Sequence, residues 1–130
     1  MGMGSHYTVS TEKSVDEAVA ALEESLRERK FGVLWKLDMT ATLQAKGQPF
    51  NQPYRILEVC NPGEANQVLT SNVHVGYFLP CKIAVYEHEG GTVIGMPRPT
   101  LLINMLGDAS LAETAARVEN ALVAAIDAVK

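Results

Sequence analysis

The sequence predicts an α+β domain, with a mainly antiparallel sheet of about five strands covered on one face by two long helices, plus shorter helices. Three observations carry this. Helical periodicity frames the chain, once after Ser14 and again after Ser110. Between these stretches, several short segments alternate apolar and polar residues, and turn or capping residues separate one segment from the next. Such an order of elements builds one sheet layer covered by helices. At 130 residues the chain fits a single domain, assigned to 7–130, with 1–6 (Met1-Gly2-Met3-Gly4-Ser5-His6) read as a disordered cloning remnant.

Tyr7 to Ser10 is a short β-prone run. Ser14 and Glu17 then have the spacing of a reciprocal capping box, and Val15, Val19, Leu22 and Leu26 form the apolar stripe of a first helix. Arg27, Arg29 and Lys30 gather where the helix dipole is negative, and Gly32 is the expected stop. Val33, Trp35 and Leu37 alternate with polar or outward positions, which predicts a strand with Trp35 in the core. Asp38 is placed to cap a short helix through Met39, Thr42 and Leu43 to about Gly47; because Thr40 and Thr42 are β-branched, a continued strand competes with it. Tyr54 to Cys60 alternates as a further strand.

Asn61-Pro62-Gly63-Glu64 combines a capping side chain, a proline at the first helical position and an acid at the third, so a helix starts there and runs to about Thr70. Cys81 to Glu87 and Thr92 to Met96 alternate again, joined by a turn at Glu89-Gly90-Gly91. Leu101 to Leu106 is an irregular apolar patch. A second capping-box spacing, Ser110 with Glu113, opens the last helix, whose Leu111, Ala115, Val118, Leu122, Ala125 and Val129 keep a helical period. Glu113 and Arg117 are spaced for a supporting ion pair.

The balance of 11 basic and 15 acidic residues gives −4, which offers no electrostatic footprint for nucleic acid. No run approaches the roughly 18 apolar residues of a membrane span. The start lacks the basic and apolar regions of an export signal, and two cysteines are too few for a disulfide scaffold, so a cytoplasmic location with reduced thiols is expected.

Cys60 is the leading chemical candidate. A thiol beside the helix start at Asn61-Pro62 feels the positive end of a dipole, which favours thiolate. The plainer reading is the stronger one: a cysteine closing an internal strand is usually a small core hydrophobe. Cys81 opens the next strand, so the sulfurs can meet if the two strands are antiparallel neighbours and can then form a disulfide or share a soft metal. His74 is the histidine available to complete a Cys₂His set, whereas His88 reads as exposed beside its turn. Asp38, Glu58 and Glu87 each read either as part of a carboxylate pair or as a cap or solvated strand position. Met39, Met96 and Met105 read as core or interface fillers. Phosphate-loop, dinucleotide and nucleophile-elbow motifs are absent, and the identity of any cofactor stays open.

Cys60-Asn61-Pro62, together with Gly76-Tyr77-Phe78-Leu79-Pro80-Cys81 and Val85-Tyr86-Glu87, resembles the bacterial and archaeal domain-of-unknown-function family 302. The likeness extends over nearly the whole domain. It departs at Arg98-Pro99, where an acidic or amide residue is expected before the proline. The resemblance implies a TATA-binding-protein-like arrangement of sheet and helices and a homodimer, without a settled activity. Three functions follow as expectations. The first is a homodimeric binding or sensory module whose pocket, near Cys60, Asn61, Pro62, Cys81 and His74, takes a small anion, a sulfur metabolite or a soft metal. The others are a thiol-dependent redox enzyme and a purely structural domain.

Overall fold

The computed structural model describes residues 4–130, so Met1 to Met3 of the expected leader lie outside the described residues. Five strands, β1 (His6–Thr11), β2 (Gly32–Asp38), β3 (Tyr54–Cys60), β4 (Cys81–His88) and β5 (Gly91–Pro97), form one sheet in the order β1-β5-β4-β3-β2. Every neighbouring pair is antiparallel. Helices α1 (Val15–Arg27) and α5 (Ala112–Asp127) share one apolar core with the sheet. The described residues also form three shorter α-helices, α2 (Met39–Ala45), α3 (Pro62–Ser71) and α4 (Pro99–Asn104), and two 3₁₀ helices, Val73–Phe78 and Ala109–Leu111. This is the α+β architecture expected from the alternation and the framing helices.

The core forms because one stripe of each long helix meets one face of the central strands. Leu22, Leu26, Leu57, Ile83, Ile94 and Leu122 are wholly buried there, and each such side chain contributes about 1.5–3 kcal/mol of transfer free energy. The Ser25 hydroxyl donates to the Ala125 carbonyl at 2.8 Å, joining α1 to α5 where a polar atom would otherwise lack a partner. The hairpin from β4 to β5 turns through Glu89 and Gly90, both at positive φ, with His88 opposite Gly91. Two left-handed positions match the right-handed twist of the flanking strands.

Several local signals act as expected. Ser14 and Glu17 make both bonds of the capping box, Asp38 caps α2 by accepting from the Ala41 amide at 2.9 Å, and Asn61 caps α3. Others yield to tertiary context. Trp35 is not in the core: it is 55% exposed. A bulge at Leu34 shifts the register between Val33 and Trp35, so Val33 stays opposite the buried Val59 while Trp35 lies opposite Glu58 on the other face. Helix α1 stops at Arg27, short of Gly32. Lys30, at φ 67°, takes the left-handed position, and the Phe31 amide bonds back to the Leu26 carbonyl at 3.0 Å, a Schellman closure made without glycine.

The apolar patch after Pro99 is helical in its first part, as α4. The Ser110 capping box does not form. Asp108 instead accepts from the Ser110 amide and starts a 3₁₀ turn, Ala109–Leu111, which runs into α5. Glu113 does not hold Arg117, whose guanidinium reaches across to Glu64 on α3 at 2.7 and 2.9 Å. A bidentate partner outcompetes a single intrahelical contact.

Candidate functional site

A cavity of about 270 Å³ opens at one end of the sheet. It lies along the seam between two apolar clusters that do not merge. On one side is the main core, represented by Phe31, Val59 and Leu122; on the other is a satellite of Val68, Val75 and Leu111, with Leu79 and Ile103 packed on it. The satellite is built by α3, by the following 3₁₀ helix Val73–Phe78, by the end of α4 and by the 3₁₀ turn Ala109–Leu111. Because β3 ends at Cys60 and β4 starts at Cys81, the space beyond the strand ends is left to these short elements. Short helices cannot fill it as a continuous sheet-on-helix layer does.

The helix start that marks the rim is built from the expected residues. Pro62 occupies the first helical position, where its missing N–H costs nothing, and the Asn61 side chain accepts from the Glu64 amide at 3.1 Å. Glu64 then pairs with Arg117, whose hydrogen bonds hold the Glu64 carboxyl below the usual range despite some burial. The N-terminus of α3 therefore already has its own carboxylate and cap.

Both cysteines border the cavity, and both are free thiols. Strands β3 and β4 are antiparallel neighbours, which is the condition under which the sulfurs can meet. The register nevertheless sets Val59, not Cys60, opposite Cys81. Alternation sends Cys60 to the other side of its strand, whereas Cys81 packs with Val59 on the main core. The facing cysteine pair is not formed. The activated thiolate is not formed either. Burial pushes the Cys60 thiol up from its ordinary value. Cys81 is pushed up to about 11, chiefly by burial and secondarily by the proximity of Cys60. Desolvation disfavours the charged form, and the capped helix end supplies no compensation.

His74 lies on the 3₁₀ helix with its ring 5.7 Å from that of Tyr77, and it does not border the cavity. The Cys₂His set is therefore not assembled, and among the described residues no three of His, Cys, Asp and Glu gather as a metal-ligating group. His88 is exposed beside its turn. Asp38 and Glu58 serve structure: Asp38 pairs with Arg55 at 3.3 Å besides capping α2, and Glu58 pairs with Lys82 at 2.9 Å across the strands. Met96 fills the core, whereas Met105 is exposed at the end of α4.

Sequence reasoning missed the outer wall of the cavity, formed by Tyr77, Phe78, Leu79, Leu102 and Ile103. The available signal was two apolar runs, Gly76 to Pro80 and Leu101 to Leu106, that match neither period. It also missed the group that holds α4 in place. Glu119 of α5, only 7% exposed, accepts from the Thr100 amide at 3.0 Å, from the Thr100 hydroxyl at 2.6 Å and from Arg98 Nε at 3.2 Å. Arg98 thus anchors the helix through its side chain, while making no side-chain cap.

The family model described as "Domain of unknown function DUF302" matches residues 7–129. The chain is also similar to the crystal structure of an uncharacterized conserved protein DUF302 from Bacillus stearothermophilus. That match has 50% identity and a TM-score of 0.93, and covers 96% of this chain and 98% of that one. No curated protein matches the sequence. Among the described residues, no helix is long and apolar enough to cross a membrane.

Proposed function

The chain belongs to the DUF302 family, a membership that brings no activity with it, and we propose from the geometry that it is a homodimeric binding or sensory module of the cytoplasm. The observation that carries this reading is the cavity of about 270 Å³, bordered by Cys60, Asn61 and Cys81 and walled by two separate apolar clusters. A concave, mostly apolar space with a few polar groups at its edge is the usual form of a small-molecule site. Binding is favoured over thiol redox chemistry because burial pushes both thiols up, away from the thiolate, and the two leave opposite faces of adjacent strands. Free cysteines fit a reducing compartment. Self-association is supported by Leu34 and Trp35, which are 61% and 55% exposed on the edge strand β2.

The test is native mass spectrometry of the purified full chain, mixed with a small-molecule library that includes anions, thiols and neutral compounds. Bound mass at one molecule per protomer is expected. It should fall sharply in Ala115→Phe, which places a ring in the cavity from α5. No retained compound in the wild type, or equal retention in the variant, refutes the reading and leaves a structural domain.

A further inference from the structure

Resting on that reading, we infer that the cavity takes an uncharged, mainly hydrocarbon molecule of small-aromatic or medium-chain-alcohol size, not an anion or a metal ion. Three features of the wall carry this. The interior surface comes from Val59, Val68, Val75, Leu102, Ile103 and Leu122. Each charged side chain at the rim is already held within the protein: Glu58 by Lys82 at 2.9 Å, and Glu64 by Arg117 at 2.7 Å. Among the described residues, no buried side-chain nitrogen or oxygen lacks a hydrogen-bond partner. A polar ligand would surrender its hydration to a wall that is mostly hydrocarbon and whose charged groups already have partners, a loss that opposes binding.

Water is poorly held against the apolar part of this wall, since an ordered water needs about 2–4 polar partners. A hydrocarbon gives up little on entering and gains dispersion contacts along the apolar wall. Size sets the class more narrowly. A dry cavity of about 150 Å³ accommodates benzene, so a volume of about 270 Å³ suits a molecule of roughly ten non-hydrogen atoms. The sulfurs agree with this chemistry. Held as neutral thiols by burial, Cys60 and Cys81 present polarizable, weakly hydrogen-bonding surface in place of charge.

Isothermal titration calorimetry of the full chain at pH 7 tests the inference with four probes: 1-octanol, octanoate, inorganic phosphate and Zn²⁺. One saturable site for 1-octanol is expected, at least about tenfold tighter than for octanoate, with no saturable heat from phosphate or Zn²⁺. Ala115→Phe and, independently on α4, Leu102→Trp should each weaken 1-octanol by about tenfold or more while circular dichroism confirms the fold. Octanoate binding as tightly as the alcohol, or phosphate or Zn²⁺ binding that Cys60→Ala abolishes, overturns the inference while leaving the pocket a binding site. Failure of all four probes, or 1-octanol binding unaltered in both folded variants, overturns the inference, while the pocket reading itself stands or falls by the mass-spectrometric screen.

Discussion

Glu119→Ala and Glu119→Gln probe the contact that holds α4 over the cavity. In the wild type one buried carboxylate receives the Thr100 amide, the Thr100 hydroxyl and Arg98. Hydrogen bonds to charged groups contribute about 1.5–3 kcal/mol each. The Arg98 pair is discounted, because that side chain is 25% exposed and also donates to the Gly4 carbonyl. Alanine strands two donors of Thr100, so a loss of about 3 kcal/mol is expected; glutamine keeps one acceptor oxygen for Thr100 but loses the charge and the acceptor for Arg98, costing about 1 kcal/mol. Against a typical total of about 5–15 kcal/mol, both are measurable by urea unfolding.

The pH dependence adds a second reading of the same contact. Burial by itself raises the Glu119 pKa, but the Thr100 and Arg98 bonds outweigh it, so the net shift is downward from the ordinary 4.5. A carboxylate depressed in the folded state contributes stability that is present above 4.5 and lost as pH falls through its folded value. The gap between wild type and Glu119→Gln should therefore be full at pH 7 and close progressively below 4.5. A gap that stays constant to pH 3, or an alanine variant within about 0.5 kcal/mol of wild type, contradicts the proposed contact.

Lys30→Gly, at the left-handed end of α1, should stabilise the protein by about 0.5–1 kcal/mol, read as a higher thermal midpoint; destabilisation would show that the Lys30 side chain outweighs backbone strain. Trp35→Thr on the exposed face should change the unfolding free energy of the monomer by less than about 1 kcal/mol, whereas Leu57→Ala in the core should cost about 2–5 kcal/mol by the same denaturant assay; similar costs would contradict the bulge. In iodoacetamide labelling of native protein at pH 8, Cys81 should react far more slowly than in urea and more slowly than Cys60; equal rates for the two native thiols would contradict the burial assigned to Cys81.

The candidate site was only partly legible in the sequence. The helix start at Asn61-Pro62 and its adjacency to Cys60 are local facts, fixed within one turn, and they are present in the fold as read. The expected thiolate failed on a different scale. Whether a helix end activates a sulfur depends on what else occupies that end, and here Arg117, 53 residues from Glu64, holds a competing carboxylate in place. Glu119 was invisible for the same reason: on a helical period it is one more polar residue, and only the return of α4 onto α5 gives it partners.

From its sequence alone this protein determined the identity of its strands, its two framing helices and most of their starts, because caps, turns and periodicity act among residues a few positions apart. Tertiary structure decided which way Trp35 points, that Cys60 and Cys81 leave opposite faces of neighbouring strands, and that a hollow remains beyond the strand ends. Each of these depends on register and on how separate elements pack. A single extra residue in a strand, or two clusters that fail to merge, changes them without altering any local preference.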